Sequence, residues 1–169
     1  MTETADIASP EARLAHISLE GEALTRLSPI LEADRAQAVA DLQADNRFAL
    51  ARSAADPAMR GPYALVLSIQ EGRLVFDVRR DDGTKLHVIV LALGPFRGLI
   101  KDYQMLVESH VTAVEEGREA RIQAIDMGRR GLHDEGARLM MHRLTGKVVF
   151  DFATARRLFT LVCVLHQRV

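Results

Sequence analysis

The chain has 169 residues, of which 48% are apolar and 27% are charged, as in one ordinary globular domain. Its formal net charge of −1 excludes the strongly positive surface that is typical of proteins binding DNA, RNA or anionic membranes. The single cysteine excludes an internal disulfide and a zinc site built from several thiolates.

The two ends of the chain contain no targeting or membrane signal. Residues 1–11 are polar and acidic, so they are predicted to form a disordered tail and not a signal peptide. The longest uncharged apolar run, residues 158–165, is far too short to cross a bilayer. We therefore expect a soluble cytoplasmic protein with one domain over residues 12–169.

The first third of the chain predicts a strand, a helix and a loop. Apolar residues alternate from Leu14 to Leu19, which indicates a strand. Ser28-Pro29 is a typical helix start, with serine as N-cap and proline at the first helical position, and this helix should end near Ala44. Residues 49–61 are rich in alanine and show no period, so they are predicted to form a flexible surface loop.

The middle of the chain has the clearest β pattern. Residues 63–69, 73–80 and 86–93 are predicted strands, and Asp82-Gly83 indicates a type I′ hairpin turn. We expect these strands to form a three-stranded antiparallel meander.

Helices are predicted to dominate the last part of the chain. One begins near Gly94-Pro95, a second covers residues 118–144, and a third is capped by Asp151 or Thr154. Residues 147–150 are a possible short strand. The sequence thus predicts an α+β fold, in which a small antiparallel sheet (the meander plus possible short edge strands) packs against three or four helices.

Residues 124–136 concentrate charge and glycine within a predicted helix. Arg129 projects into the apolar arc of this helix, with Asp126 at i−3 and His133 at i+4 on the same flank. A buried arginine needs a carboxylate partner, so we expect a polar cluster here. A separate strip, formed by Gly128, Gly131 and Glu135, would let a backbone or a ligand approach closely.

The same residues have a second interpretation. Arg129-Arg130-Gly131 is also typical of a helix C-terminus, in which case Asp134 and Glu135 would begin another helix. Both a continuous helix and a break after Gly131 stay open at this point.

Two further arginines, Arg156 and Arg157, lie in the opening turn of the last helix, where the helix dipole disfavours cations. Either Asp151 and the carboxylates of the cluster compensate them, or they form an anion site with the free amides of that turn.

Three stretches of the sequence resemble family 0262 of the uncharacterised protein (UPF) series, a family of small bacterial proteins. The stretches are Phe96 with Asp102-Tyr103, residues 124–136, and residues 151–161. The resemblance extends from about Ile17 to the C-terminus and is weakest over residues 49–61. It implies a bacterial protein, but it carries no reaction, cofactor or catalytic residue.

No phosphate loop, dinucleotide fingerprint, nucleophile elbow or helical zinc motif is present, so we expect no cofactor and no metal.

The first hypothesis for the function is a non-enzymatic binding or regulatory module for a protein partner or a small anion. The alternative is a small enzyme that uses His133 as acid and base on an anionic substrate. A third hypothesis makes the cluster purely structural. The candidate residues are Asp126, Arg129, Arg130, His133, Glu135, Arg156 and Arg157.

Overall fold

The computed structural model describes residues 4–21 and 27–166, which contain four α-helices and two β-sheets. The strands are β1 (Leu14–Glu20), β2 (Phe48–Leu50), β3 (Tyr63–Gln70), β4 (Arg73–Arg80), β5 (Lys85–Ala92) and β6 (Val148–Phe150). The helices are α1 (Pro29–Ala44), α2 (Arg97–Glu115), α3 (Glu119–Arg143) and α4 (Phe152–Leu165). The predicted α+β class is confirmed.

The larger sheet has four strands in the order β1-β3-β4-β5. The antiparallel meander of β3, β4 and β5 is present as predicted, but β1 joins it parallel to β3, so the sheet is mixed. Parallel neighbours need a long crossover connection, and α1 lies in that connection. One face of the sheet carries Leu65, Leu67 and Phe76 into the core.

The two hairpin turns differ from each other. Glu71 and Gly72 both have positive φ, 52° and 72°, so the type I′ pattern lies between β3 and β4. The type I′ prediction for Asp82-Gly83 is wrong, because of these two residues only Gly83 has a positive φ. There four residues join β4 to β5, and the Asp82 side chain accepts from Thr84 N at 2.9 Å.

Two segments predicted without regular structure contribute to the core. Within residues 49–61, Ala49 and Leu50 are buried in β2, which pairs antiparallel with β6. A strand of three residues is too short to show alternation, and this is why the pattern did not predict it. Ala5, in the segment predicted as a tail, is also buried in the core cluster.

Helix α3 runs without interruption from Glu119 to Arg143, so the hypothesis of a break after Gly131 is wrong. The positive-φ glycine that separates two helices is Gly117 (φ 68°), between α2 and α3. A glycine inside a helix destabilises it by about 1 kcal/mol. Packing offsets this, because α3 contacts α2 and α4 and buries Ile125 and Met140 on either side of Gly131.

Helix α4 is the centre of the fold. It packs against α1 and α3, and it is buried from Leu158 to Leu165. Asp151 caps it by accepting from Thr154 N at 3.0 Å, as predicted. A Cβ on Gly136 of α3 would lie 2.2 Å from the Phe159 ring, so this glycine allows α3 and α4 to approach closely.

Candidate functional site

Arg129 is the centre of a charged network that joins three helices. It donates to Asp34 of α1, with Nη2 2.5 Å from Oδ2, and to Asp126 one turn earlier on α3, with Nη1 3.1 Å from Oδ1. His110 of α2 lies beside the same Asp126, with 3.7 Å between Nε2 and Oδ1. The Arg129 side chain is only 13% exposed, so these contacts replace most of its hydration.

Tyr103 of α2 completes this network by donating its hydroxyl proton to Asp34. Burial, followed by the charge of Asp34, raises the pKa of Tyr103, so the phenol keeps its proton at neutral pH. Burial alone would lower the pKa of Arg129, but the hydrogen bond and charge of Asp34 outweigh burial and raise it. The guanidinium is therefore charged and paired with two carboxylates, which leaves its Nη groups little capacity for an additional anion. Its buried Nε has no hydrogen-bond partner among the described residues.

His133 lies next to this network, in the core. It is 9% exposed, and its ring centroid is 5.5 Å from that of Tyr103. Burial, followed by the charge of Arg156, lowers the pKa of His133 to about 4, so the ring is neutral at pH 7. Its Nε2 is buried and has no hydrogen-bond partner among residues 4–21 and 27–166. A neutral, buried imidazole is poorly placed to exchange protons with a substrate.

The two arginines at the start of α4 are compensated in different ways. Arg156 Nε lies 2.9 Å from Asp134 Oδ1 on α3, so a carboxylate of the cluster pairs with it. Arg157 Nη1 donates to the Asp45 carbonyl at 2.9 Å and more weakly to Asp41 at 3.4 Å. These carbonyls belong to the C-terminal end of α1, where the helix dipole favours a cation.

The remaining candidates are not joined to this group. Arg130 and Glu135 are exposed on α3. The prediction that another backbone or a ligand comes close to Gly128 and Gly131 holds only in part. Gly128 faces Leu106 of α2, but no atom lies within 4 Å of a Cβ at Gly131. The structure thus brings together Asp126, Arg129 and His133, links Arg156 to the cluster through Asp134, and leaves the other three candidates apart.

A cationic cleft that the sequence did not predict lies between α2 and the end of α4. We use this term for the cleft of about 470 Å³ that is lined by Arg97, Ile100, Lys101, Gln104 and His166. Gln104 Nε2 donates to the His166 carbonyl at 2.6 Å, which ties the two walls together. The Nδ1 atom of His166 is buried and has no hydrogen-bond partner within the described part of the chain.

The cations of this cleft differ from those of α3 in what surrounds them. Arg97 and Lys101 are exposed and form no ion pair with a described residue. They are four residues apart, so they share one flank of the first turns of α2. The dipole argument used for Arg156 and Arg157 applies here too, and it could have identified them.

The missed partners of Arg129 had weaker signals. Asp34 lies within an ordinary polar face of α1, and Tyr103 has the spacing of an ordinary apolar residue on the buried side of α2. Their contact with Arg129 depends on how three helices pack, which no local spacing reveals.

Two other clefts are shallow openings in the surface. One of about 490 Å³ lies beside Tyr63, and one of about 360 Å³ lies between β1 and α1. His133 lines none of the three clefts. Among the described residues, no group of three or more histidine, cysteine, aspartate or glutamate side chains is placed to hold a metal ion. No described helix has the length and hydropathy needed to span a membrane.

Comparison with known proteins places the chain in a family. The sequence model described as "Uncharacterised protein family (UPF0262)" matches residues 11–168. The chain belongs to UPF0262. The resemblance seen in the sequence is thereby confirmed, and it covers the whole α+β domain.

Several bacterial UPF0262 proteins are similar to this chain over nearly their full length. A UPF0262 protein of Granulibacter bethesdensis is 66% identical, covering 99% of this chain and 97% of its own. One from Acidiphilium cryptum is 60% identical, covering 92% and 93%. One from Bradyrhizobium diazoefficiens is 47% identical, covering 92% of each. No solved structure matches the chain.

Proposed function

We propose that this UPF0262 protein is a non-enzymatic cytoplasmic binding module that takes a small anionic ligand in the cationic cleft. The observation that carries the proposal is that two exposed cations, Arg97 and Lys101, line one cleft together with His166. Phosphate and carboxylate groups are the chemistry that such a set of donors recognises.

The dipole of α2 adds to this donor set. A 3₁₀ turn over Gly94–Phe96 leads into α2, and the Arg97 amide donates to the Gly94 carbonyl, so this amide is not free for a ligand. The helix dipole still favours a negative charge near this end. Arg97 is the first residue of α2 and Lys101 lies in its second turn, so an anion beside Arg97 would be favoured by the dipole as well as by the two side-chain charges.

The charged network around Arg129 does not support the same role. Asp34 and Asp126 already neutralise Arg129, and Asp134 pairs with Arg156. An anion that entered there would displace a carboxylate of the protein from its partner. We therefore assign the α3 network a structural role and the cationic cleft the binding role.

The test is a thermal-shift series with inorganic phosphate, pyrophosphate and citrate, compared with chloride at the same ionic strength. A ligand at tenfold its Kd stabilises the folded state by about 1.4 kcal/mol. For a protein of this size, that gain raises Tm by about 3–6 °C. We expect such a rise with at least one of the three anions, and its loss in Lys101→Gln.

Arg130→Gln is the matched control, because Arg130 is an exposed cation on α3 outside the cleft. This variant should keep the full anion response. Equal Tm values in all three anions and in chloride would contradict the proposal, as would an unchanged response in Lys101→Gln.

A further inference from the structure

The strand β5 forms one edge of the larger sheet and presents an apolar surface. Among the described strands it pairs only with β4. Val88 and Val90 are 51% and 46% exposed on its outer face. An unpaired edge also presents a row of free backbone N–H and C=O groups, which is a template for pairing with another strand.

Apart from the exposed Lys85 at its first position, β5 lacks the features that usually prevent pairing. Edge strands are commonly protected by proline, by charged residues within the strand or by a covering helix. From Leu86 to Ala92, β5 contains no proline and no lysine, arginine, aspartate or glutamate. The irregularity in its pairing with β4 lies near the start of the strand, at Val78/Arg79 of β4, so the rest of the edge is regular.

The charges at the two ends of β5 are complementary to each other. Asp81 and Asp82 lie in the turn before the strand, where Lys85 offsets one of the two negative charges, and Arg97 follows shortly after the strand. Arg97 reaches the other end of the sheet, where its Nη2 lies 3.9 Å from the Cβ position of Gly72. Two copies of β5 in antiparallel pairing would therefore place the acidic turn of each copy near the arginine of the other. Parallel pairing would instead bring the acidic turns together, which is unfavourable.

We propose that the partner at this edge is a second copy of this chain, joined through antiparallel β5–β5 pairing about Ile89. The two sheets then continue as one eight-stranded sheet around a twofold axis. In this register Val88 of each copy lies across from Val90 of the other, so the exposed valines form one apolar patch. A single pair of strands buries a modest area, and we expect a dimer with a micromolar Kd.

Sedimentation velocity and light scattering on the full chain test this proposal over the micromolar concentration range. The wild type should approach twice the monomer mass of 18.7 kDa as concentration rises. Val88→Lys/Val90→Lys should remain monomeric, because lysines across from each other repel and the apolar contact is lost. Both substitutions are at exposed positions, so circular dichroism and Tm should stay close to wild type.

Met105→Lys is the matched control, since Met105 is 55% exposed on α2, away from β5. It should dimerise as the wild type does. Asp81→Lys/Asp82→Lys should raise the dimer Kd about threefold to tenfold at low salt, and high salt should remove the difference. A monomeric wild type, an oligomer other than a dimer, or a dimer that Val88→Lys/Val90→Lys leaves intact would overturn the proposal. The valine variants test the dimer independently of anion binding in the cationic cleft. Arg97 lines that cleft, so the aspartate variants are compared in chloride without phosphate, pyrophosphate or citrate.

Discussion

Two groups of cations in this protein, the network around Arg129 and the cationic cleft, both lie on helices but have opposite surroundings. Arg129 lies mid-helix among carboxylates from two helices and is 13% exposed. Arg97 and Lys101 lie at the start of α2, are exposed, and form no ion pair with any described residue. A charged side chain that is paired with carboxylates of the fold holds the helices together, whereas an exposed one without a carboxylate partner is available to a ligand.

The comparison also explains why residues 124–136 attract attention in the sequence. Their mixture of arginine, aspartate, histidine and glycine is typical of a binding or catalytic site, but in the structure these residues have separate roles. Arg129 and Asp126 pair, Gly136 admits the Phe159 ring, and His133 is buried. A group of closely spaced polar residues can therefore be required for the packing of helices as well as for binding a ligand.

Arg129→Met gives the largest expected change in the free energy of unfolding. If it had no effect, the contrast between the two groups of cations would be wrong. The substitution leaves Asp34 and Asp126 without their cation, so we expect a loss of about 3–4 kcal/mol in the free energy of unfolding. Urea denaturation measures it. Arg130→Met, at an exposed position of the same helix, should change stability by less than about 0.5 kcal/mol. If the Arg129→Met variant were stable but lost anion binding, the network around Arg129 would be the binding site and the cationic cleft would not.

The pH dependence of stability tests the burial of His133. Its folded pKa of about 4 lies below the ordinary value of 6.5, so between these values the unfolded chain binds more protons. The contribution of His133 is fully present above pH 6.5 and is lost as the pH falls towards 4, by up to about 3 kcal/mol. Urea denaturation at several pH values should show a smaller loss in His133→Gln than in the wild type. Parallel pH profiles would mean that His133 is solvated.

A pair of glycine substitutions sharpens the structural assignment of α3. Gly136→Ala should destabilise the protein by about 2 kcal/mol, because the new Cβ would lie 2.2 Å from the Phe159 ring. Gly131→Ala, where no atom lies within 4 Å, should stabilise it by about 0.5–1 kcal/mol through helix propensity. Thermal unfolding distinguishes the two signs. Stabilisation by both substitutions would show that α3 and α4 are less closely packed.

Arg157→Ala gives a smaller expected destabilisation than Gly136→Ala. Arg157 binds the Asp45 carbonyl at the end of α1, so its removal should destabilise the protein by about 1 kcal/mol. Anion binding should be unchanged, because Arg157 does not line the cationic cleft. If the variant kept full stability but lost the anion response measured by thermal shift, the binding site would lie at the start of α4.

Local patterns predicted most elements of the fold. The Ser28-Pro29 start of α1, the β3–β4–β5 meander and the Asp151 cap of α4 each depend on neighbouring residues, and all are present. Ser28 stands at the N-cap position as predicted, but its side chain forms no capping hydrogen bond. The strand β2 and the parallel pairing of β1 with β3 were not predicted. The first is too short for a pattern, and the second depends on a crossover that brings distant segments together.

The sequence by itself determined where most helices and strands lie, because capping, turn chemistry and apolar periodicity act within a few residues. It also placed Asp126, Arg129 and His133 on one flank of a helix. Only the tertiary structure decided that Arg129 pairs with Asp34, 95 positions away, and that Arg97, Lys101 and His166 share a cleft. The physical reason is that a side chain's charge state and availability depend on burial and on partners from other elements, which packing alone assembles.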